Sequence, residues 1–230
     1  MINMDMKLLN QAKVVSIDAL QKFCEKLELS YGLLDNINDI KIEVGICLDA
    51  DDRLSYSPIT NTITVSEEHY VDLNIEAMEG KDNKKNAILN LAKGLVHEMM
   101  HANRNMIENQ REGYEEIMCE VVADIIIRSY VTGKFDLDSI KTRITTDKEY
   151  EMGYRVGAQF VKRMGISILK MFLYYDKTNG DINLLSDDVG KDYSKLMDYF
   201  DELYSSIHNN TKVNMQTAVD ALNIINGIKR

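Results

Sequence analysis

His97-Glu98-Met99-Met100-His101 is the stretch whose reading organises the rest of the chain. It lies in DNKKNAILNLAKGLVHEMMHANRNM, from about Asp82 to Met106, where Ile88, Leu91, Ala92, Leu95, Val96, Met99 and Met100 recur at helical spacing. Two histidines four apart on a helix stand nearly one above the other, so both imidazoles project from one face and can grip a single ion. Glu98, beside His97, can reach a water held by that ion without ligating the ion itself. Asn90, Gly94, His97, His101 and Arg104 extend this face at steps of three and four, a polar stripe with the histidines at its centre. Gly94 costs the helix on the order of 1 kcal/mol against alanine. Either the close approach of a neighbouring backbone or a chance glycine accounts for it.

A catalytic zinc normally takes three protein ligands and leaves one position for water, so the histidine pair needs a partner. No third histidine follows at the HExxHxxGxxH spacing; Asn105 and Gln110 fall in that region, and His208 is the only later histidine. A third helix is expected from roughly Tyr114 to Val131, stopped by Gly133 after Thr132. Glu120 on this helix is the best third ligand, because two antiparallel helices joined by a short loop would bring its carboxylate to the histidines. Asp124, one turn further on the same face, can accept the free N–H of a ligating imidazole. Glu116, one turn the other way, is the alternative ligand, with Glu120 then standing behind it. Glu112, Glu115 and Glu116 also fit a plain solvated acidic face.

These residues resemble the gluzincin-type zinc metallopeptidases, which carry HExxH on one helix and a glutamate ligand on the next. The nearest likeness is to small soluble members with an ExxAD second motif, relatives of the metallopeptidases that cleave phage repressors; here that motif is Glu120-Val121-Val122-Ala123-Asp124. The likeness runs from the strand pair described next through about residue 132. It implies zinc held by His97, His101 and Glu120, Glu98 as general base and Asp124 in support. It also implies a zincin-like core, in which a small antiparallel sheet lies beside the HExxH helix and the glutamate helix.

Upstream, residues 5 to 29 carry apolar positions at three- and four-residue steps, the pattern of an amphipathic helix. Ile40 to Leu48 alternates with period two and reads as a strand, and Asn61 to Val65 reads as a second. Between them, DADDRLSYSPIT holds the only proline, Pro58, and reads as a connection longer than a tight turn. If the strand at Asn61 to Val65 lies at the sheet edge above the HExxH helix, it can pair with an extended peptide, which favours a peptide or protein substrate. Downstream, residues 147 to 175, 188 to 207 and 213 to 228 read as three more helices. The expected fold class is therefore α+β and mostly helical: one domain, with a zincin-like core at about 36–132 and a helical C-terminal part at about 145–230.

Composition narrows the partners and the setting. A net charge of −10 argues against a nucleic-acid backbone as main partner. Cys24, Cys47 and Cys119 are odd in number and widely spaced, which fits a reducing, cytoplasmic setting. The N-terminal residues offer no continuous apolar core like that of a signal peptide, and no run approaches a membrane span. Asp176 to Asp187 imitates a calcium loop with its glycine misplaced, and Asp49, Asp51 and Asp52 lack that pattern altogether, so both read as polar loops.

The leading expectation is a soluble zinc peptidase. A partner-binding protein on the same scaffold and a hydrolase of a non-peptide amide are the alternatives. A tetrahedral intermediate would also need an oxyanion donor, and Tyr114, Tyr130, Tyr154 and His208 all remain open for that role.

Overall fold

Two reversals of the chain between Lys41 and Ser66 build a three-stranded sheet from β1 (Lys41–Gly45), β2 (Leu54–Ser57) and β3 (Thr62–Ser66). The computed structural model describes residues 6–29, 37–47, 52–104, 112–140, 149–173, 189–208 and 215–228. The strand order is β1-β3-β2, with β1 parallel to β3 and β2 antiparallel to it. The sheet is thus mixed, where an antiparallel one was expected. The cause is β2, four residues within the stretch read as a connection: it reverses the chain once, the turn at Pro58 to Asn61 reverses it again, and β3 returns parallel to β1. Asn61 closes that turn at φ +50, a conformation asparagine tolerates, and its side chain accepts the Tyr56 hydroxyl at 3.0 Å. The same topology makes β3 the central strand, with Ile63 and Val65 fully buried, so the expected sheet edge at Asn61 to Val65 is overturned. The edges are β1 and β2.

The chain forms two compact units, Met1–Asn105 with Ile126–Lys134, and Met106–Ile125 with Phe135–Arg230. In the first unit α1 (Lys7–Lys26) and α2 (Glu67–Met78) pack on α3 (Lys81–Arg104), and β2 lies against α3. Helix α1 buries Leu8, Leu9, Ala12, Leu20 and Phe23 within the span its periodicity predicts. Helix α2 was not predicted. It starts where the Ser66 hydroxyl accepts the His69 N–H at 3.3 Å, with Glu67 and Glu68 placed favourably at the positive end of the helix dipole. Gly94 of α3 does mark a close approach, made by a side chain rather than a backbone: a methyl group there would stand 3.0 Å from Leu54 Cδ1 on β2.

Helix α4 (Glu112–Thr132) belongs to both units and ends where expected, at Gly133 with φ +69. In the first unit Lys26 Nζ donates to Ser129 Oγ at 3.1 Å and to the Gly133 carbonyl at 3.2 Å. The ammonium thus meets the negative end of the α4 dipole.

The second unit joins the first part of α4 to α5 (Glu149–Met164), α6 (Ile166–Leu173), α7 (Tyr193–His208) and α8 (Met215–Gly227). The helix predicted over 147 to 175 is broken at Gly165, which adopts φ +73 between α5 and α6. Tyr114 stands edge-on to Phe160, Phe172 and Phe200, with centroids 6.3, 6.4 and 5.6 Å away, an arrangement that aromatic quadrupoles favour. Beside it, Gly113 lets α4 touch the α7 backbone. Its N–H donates to Asp201 Oδ1 at 3.1 Å, and a Cβ there would lie 2.5 Å from both Asp201 Cα and the Phe200 carbonyl oxygen. Backbone atoms cannot rotate aside, so Gly113→Ala is expected to destabilise the chain towards the upper end of the ~1–3 kcal/mol typical of overpacking. Urea unfolding of the full chain measures this, and an unchanged midpoint would mean that α7 yields freely.

No helix among the described residues is long and apolar enough to cross a membrane. The calcium-like stretch at 176 to 187 lies outside the described residues, as do Asp49 and Asp51.

Candidate metal centre

Three of the predicted site residues stand on α3, where His97, Glu98 and His101 are half-buried against fully buried Val96 and Met99. His97 Nε2 and His101 Nε2 approach to 3.0 Å, with ring centroids 4.8 Å apart and planes inclined by 56°. Two ligand atoms 2.0–2.1 Å from a tetrahedral ion stand about 3.3 Å apart, so the helix alone holds the imidazoles close to ligand geometry. Nitrogens this near one another share a proton or a cation, since two charged rings would repel and two facing lone pairs would gain nothing.

Helix α4 supplies the acids. Glu116, Glu120, Asp124 and Arg128 are half-buried at successive four-residue steps, while Ile117 to Cys119 and Val121 to Ala123 between them are buried. Glu115 is also buried, with 4 % of its surface exposed, so the solvated acidic face foreseen for Glu112, Glu115 and Glu116 is confined to Glu112.

One group among the described residues is able to hold a metal ion, and it consists of His97, His101 and Glu116. Each offers one ligand atom, and these atoms all lie within 4.8 Å of one another. Glu120 is not in the group; it stands one turn along the same face of α4. Two imidazole nitrogens and a carboxylate oxygen suit a divalent ion of the zinc type.

Within the second unit Asp124 is held from α5, where the Tyr154 hydroxyl donates to Asp124 Oδ2 at 2.6 Å. Arg155 bonds Glu151 at 2.6 Å and lies 5.5 Å from the centre of the Tyr154 ring. Sequence reasoning named Tyr154 without finding this pairing, because α4 and α5 meet only in the folded chain. Tyr154→Phe is expected to cost ~1–2 kcal/mol, the range for a hydrogen bond to a charged acceptor reduced by partial exposure. Thermal unfolding tests this; no loss would show that the hydroxyl adds nothing to holding Asp124.

The other tyrosines considered as oxyanion donors have structural roles. Tyr114 sits in the aromatic cluster, whereas Tyr130 hydrogen-bonds Asp18, which raises its pKa, and carries Lys22 over its ring at 5.1 Å. The side chain of His208 lies outside the described residues.

Cys47 is a neighbour of Glu98 that no sequence signal connects to it. Burial pushes its thiol pKa up, Ser55 opposes this through a hydrogen bond, and the charges of Asp52 and Glu98 add to the rise. His69 at the start of α2 is half-buried. Desolvation and the Arg53 charge hold its pKa below the ordinary value, while Asp72 pulls the other way.

No family model, no curated protein and no solved structure matches the chain.

Proposed function

We propose that this protein is a zinc-dependent metallopeptidase whose centre is built on the HExxH helix α3 and on the acidic face of α4. The observation that carries this reading is the group of His97, His101 and Glu116, whose ligand atoms lie within 4.8 Å of one another. We assign the three as the ligand set, with Glu120, the choice of the sequence pattern, one turn behind and Asp124 in support of an imidazole. Zinc, when bound, acidifies a water and polarises the scissile carbonyl. Glu98, which follows His97 and is not in the ligand group, accepts the water's proton and passes it to the leaving amine.

A peptide substrate fits this reading through β2 rather than β3. β2 is an edge strand of the sheet, and Leu54 at its start seats against Gly94, one turn before His97. An extended peptide would add to β2 by main-chain hydrogen bonds. Cys24, Cys47 and Cys119 are buried thiols that form no disulfide, which supports a reducing, cytoplasmic setting.

The test joins metal content to hydrolysis. Purified protein is expected to carry about one zinc per chain, in keeping with a three-ligand catalytic site. It should cleave members of a peptide library, lose that activity to a chelator and regain it with added zinc. Cleavage indifferent to chelation would remove the metal from the reaction. Zinc-loaded protein that cleaves no peptide would instead favour the partner-binding or non-peptide alternatives.

A further inference from the structure

Helix α2 has two apolar faces, and the fold uses one of them. Tyr70 and Leu73 are buried, whereas Val71, Ile75 and Met78 line the outer side with 38 %, 55 % and 83 % of their surface exposed. Their spacing is i, i+4, i+7, the pattern of anchors by which one helix seats against another. The setting of this stripe is acidic. Glu67, Glu68, Asp72 and Glu79 are exposed and Glu76 is half-buried, while no Lys or Arg occurs from Leu54 to Gly80. No ion pair to Glu67, Glu68, Asp72 or Glu76 is found among the described residues; Glu79 bonds the Asn83 amide.

We propose that the outer face of α2 docks a basic amphipathic helix of a partner protein. The partner's apolar stripe would cover Val71, Ile75 and Met78, and its flanking Lys or Arg side chains would meet the carboxylates. Charge selects this occupant. A second copy of a chain with net charge −10 would set acid against acid, and an anionic membrane or a nucleic acid would be repelled in the same way. The proposal is independent of the metal centre.

The probe is a synthetic helix of roughly 20 residues with leucine at i, i+4 and i+7 and lysine on the flanking positions, labelled for fluorescence anisotropy. Its counterpart keeps the leucines and replaces lysine by glutamate. The lysine peptide is expected to bind the full chain, with affinity falling as salt screens the carboxylates, and the glutamate peptide is not. Ile75→Ser with Met78→Ser should weaken binding by about tenfold or more, as loss of central apolar anchors does. Glu68→Gln with Asp72→Asn should weaken it further and flatten the salt dependence. A control pair outside the helix, Asp136→Asn with Asp138→Asn, should leave binding unchanged. All these side chains are exposed, so circular dichroism should show the fold intact. Equal loss in the control, no loss in the Ile75 and Met78 variant, or a concentration-dependent homodimer abolished by that variant would each overturn the assignment.

Discussion

Glu98→Gln is expected to lower peptide hydrolysis by ~10²–10⁴-fold, the range that removal of a general base costs, while zinc content stays at the wild-type level. Glutamine keeps the size and hydrogen-bonding reach of the side chain but cannot take up a proton. Glu98 lies outside the group of His97, His101 and Glu116, so the ligand set is untouched by the change. That separates the proposed chemistry from two other outcomes. Loss of zinc together with activity would make Glu98 part of the metal's coordination. Full activity with zinc in place would move the base elsewhere and remove the strongest functional argument that HExxH offers. Initial rates and metal content on the same preparation, with circular dichroism as the check on folding, distinguish the three.

What could be read in advance follows from the period of each signal. Helices α1, α3 and α4 and the Gly133 stop were legible because their apolar residues fall on one face or end at a glycine in a left-handed conformation. Helix α2 was not, since Tyr70 and Leu73 point inward while Val71, Ile75 and Met78 point outward, and two apolar faces cancel each other in a search for one. Strand β2 escaped notice because Leu54-Ser55-Tyr56-Ser57 alternates for four residues only, beside the proline and turn residues that mark a loop. Missing it had consequences beyond one element: without β2 there is no reason to expect β1 and β3 to run parallel or to place β3 at the centre of the sheet. The break at Gly165 is a subtler case, as apolar spacing continues through Ile168, Leu169 and Phe172 and only the glycine marks where the backbone turns. At the candidate metal centre the histidines were legible as a pair, because their spacing is local to one helix turn. The third ligand was legible as the acidic face of α4, with Glu120 the first choice and Glu116 the alternative, because the two share that face and helical spacing alone does not separate them.

That equivalence sets the second expected result. Glu116→Ala should weaken zinc binding by more than the ~10–100-fold that loss of an outer partner costs, and Glu120→Ala should remain within that range. The two carboxylates start from backbone positions about 6 Å apart along the helix, four residues at 1.5 Å each, which is also the separation of His97 and His101 along α3. The histidines overcome it by leaning their rings together, bringing Nε2 to within 3.0 Å of Nε2. Glutamate has one more rotatable bond to lean with, and the carboxylate that supplies a ligand atom within 4.8 Å of both imidazole nitrogens is that of Glu116. Competition with a chromophoric chelator measures the affinities directly. A larger loss in Glu120→Ala would return the ligand role to the residue favoured by the ExxAD pattern, and unchanged affinity in both would dismantle the group. Comparable large losses in both variants would indicate that the ion needs both carboxylates, whereas exchange of the two at one coordination position would keep each single loss small. The double variant then separates exchange from independent support: exchange predicts a loss well beyond the sum of the two single losses, because each carboxylate otherwise substitutes for the other, and independent support predicts that sum.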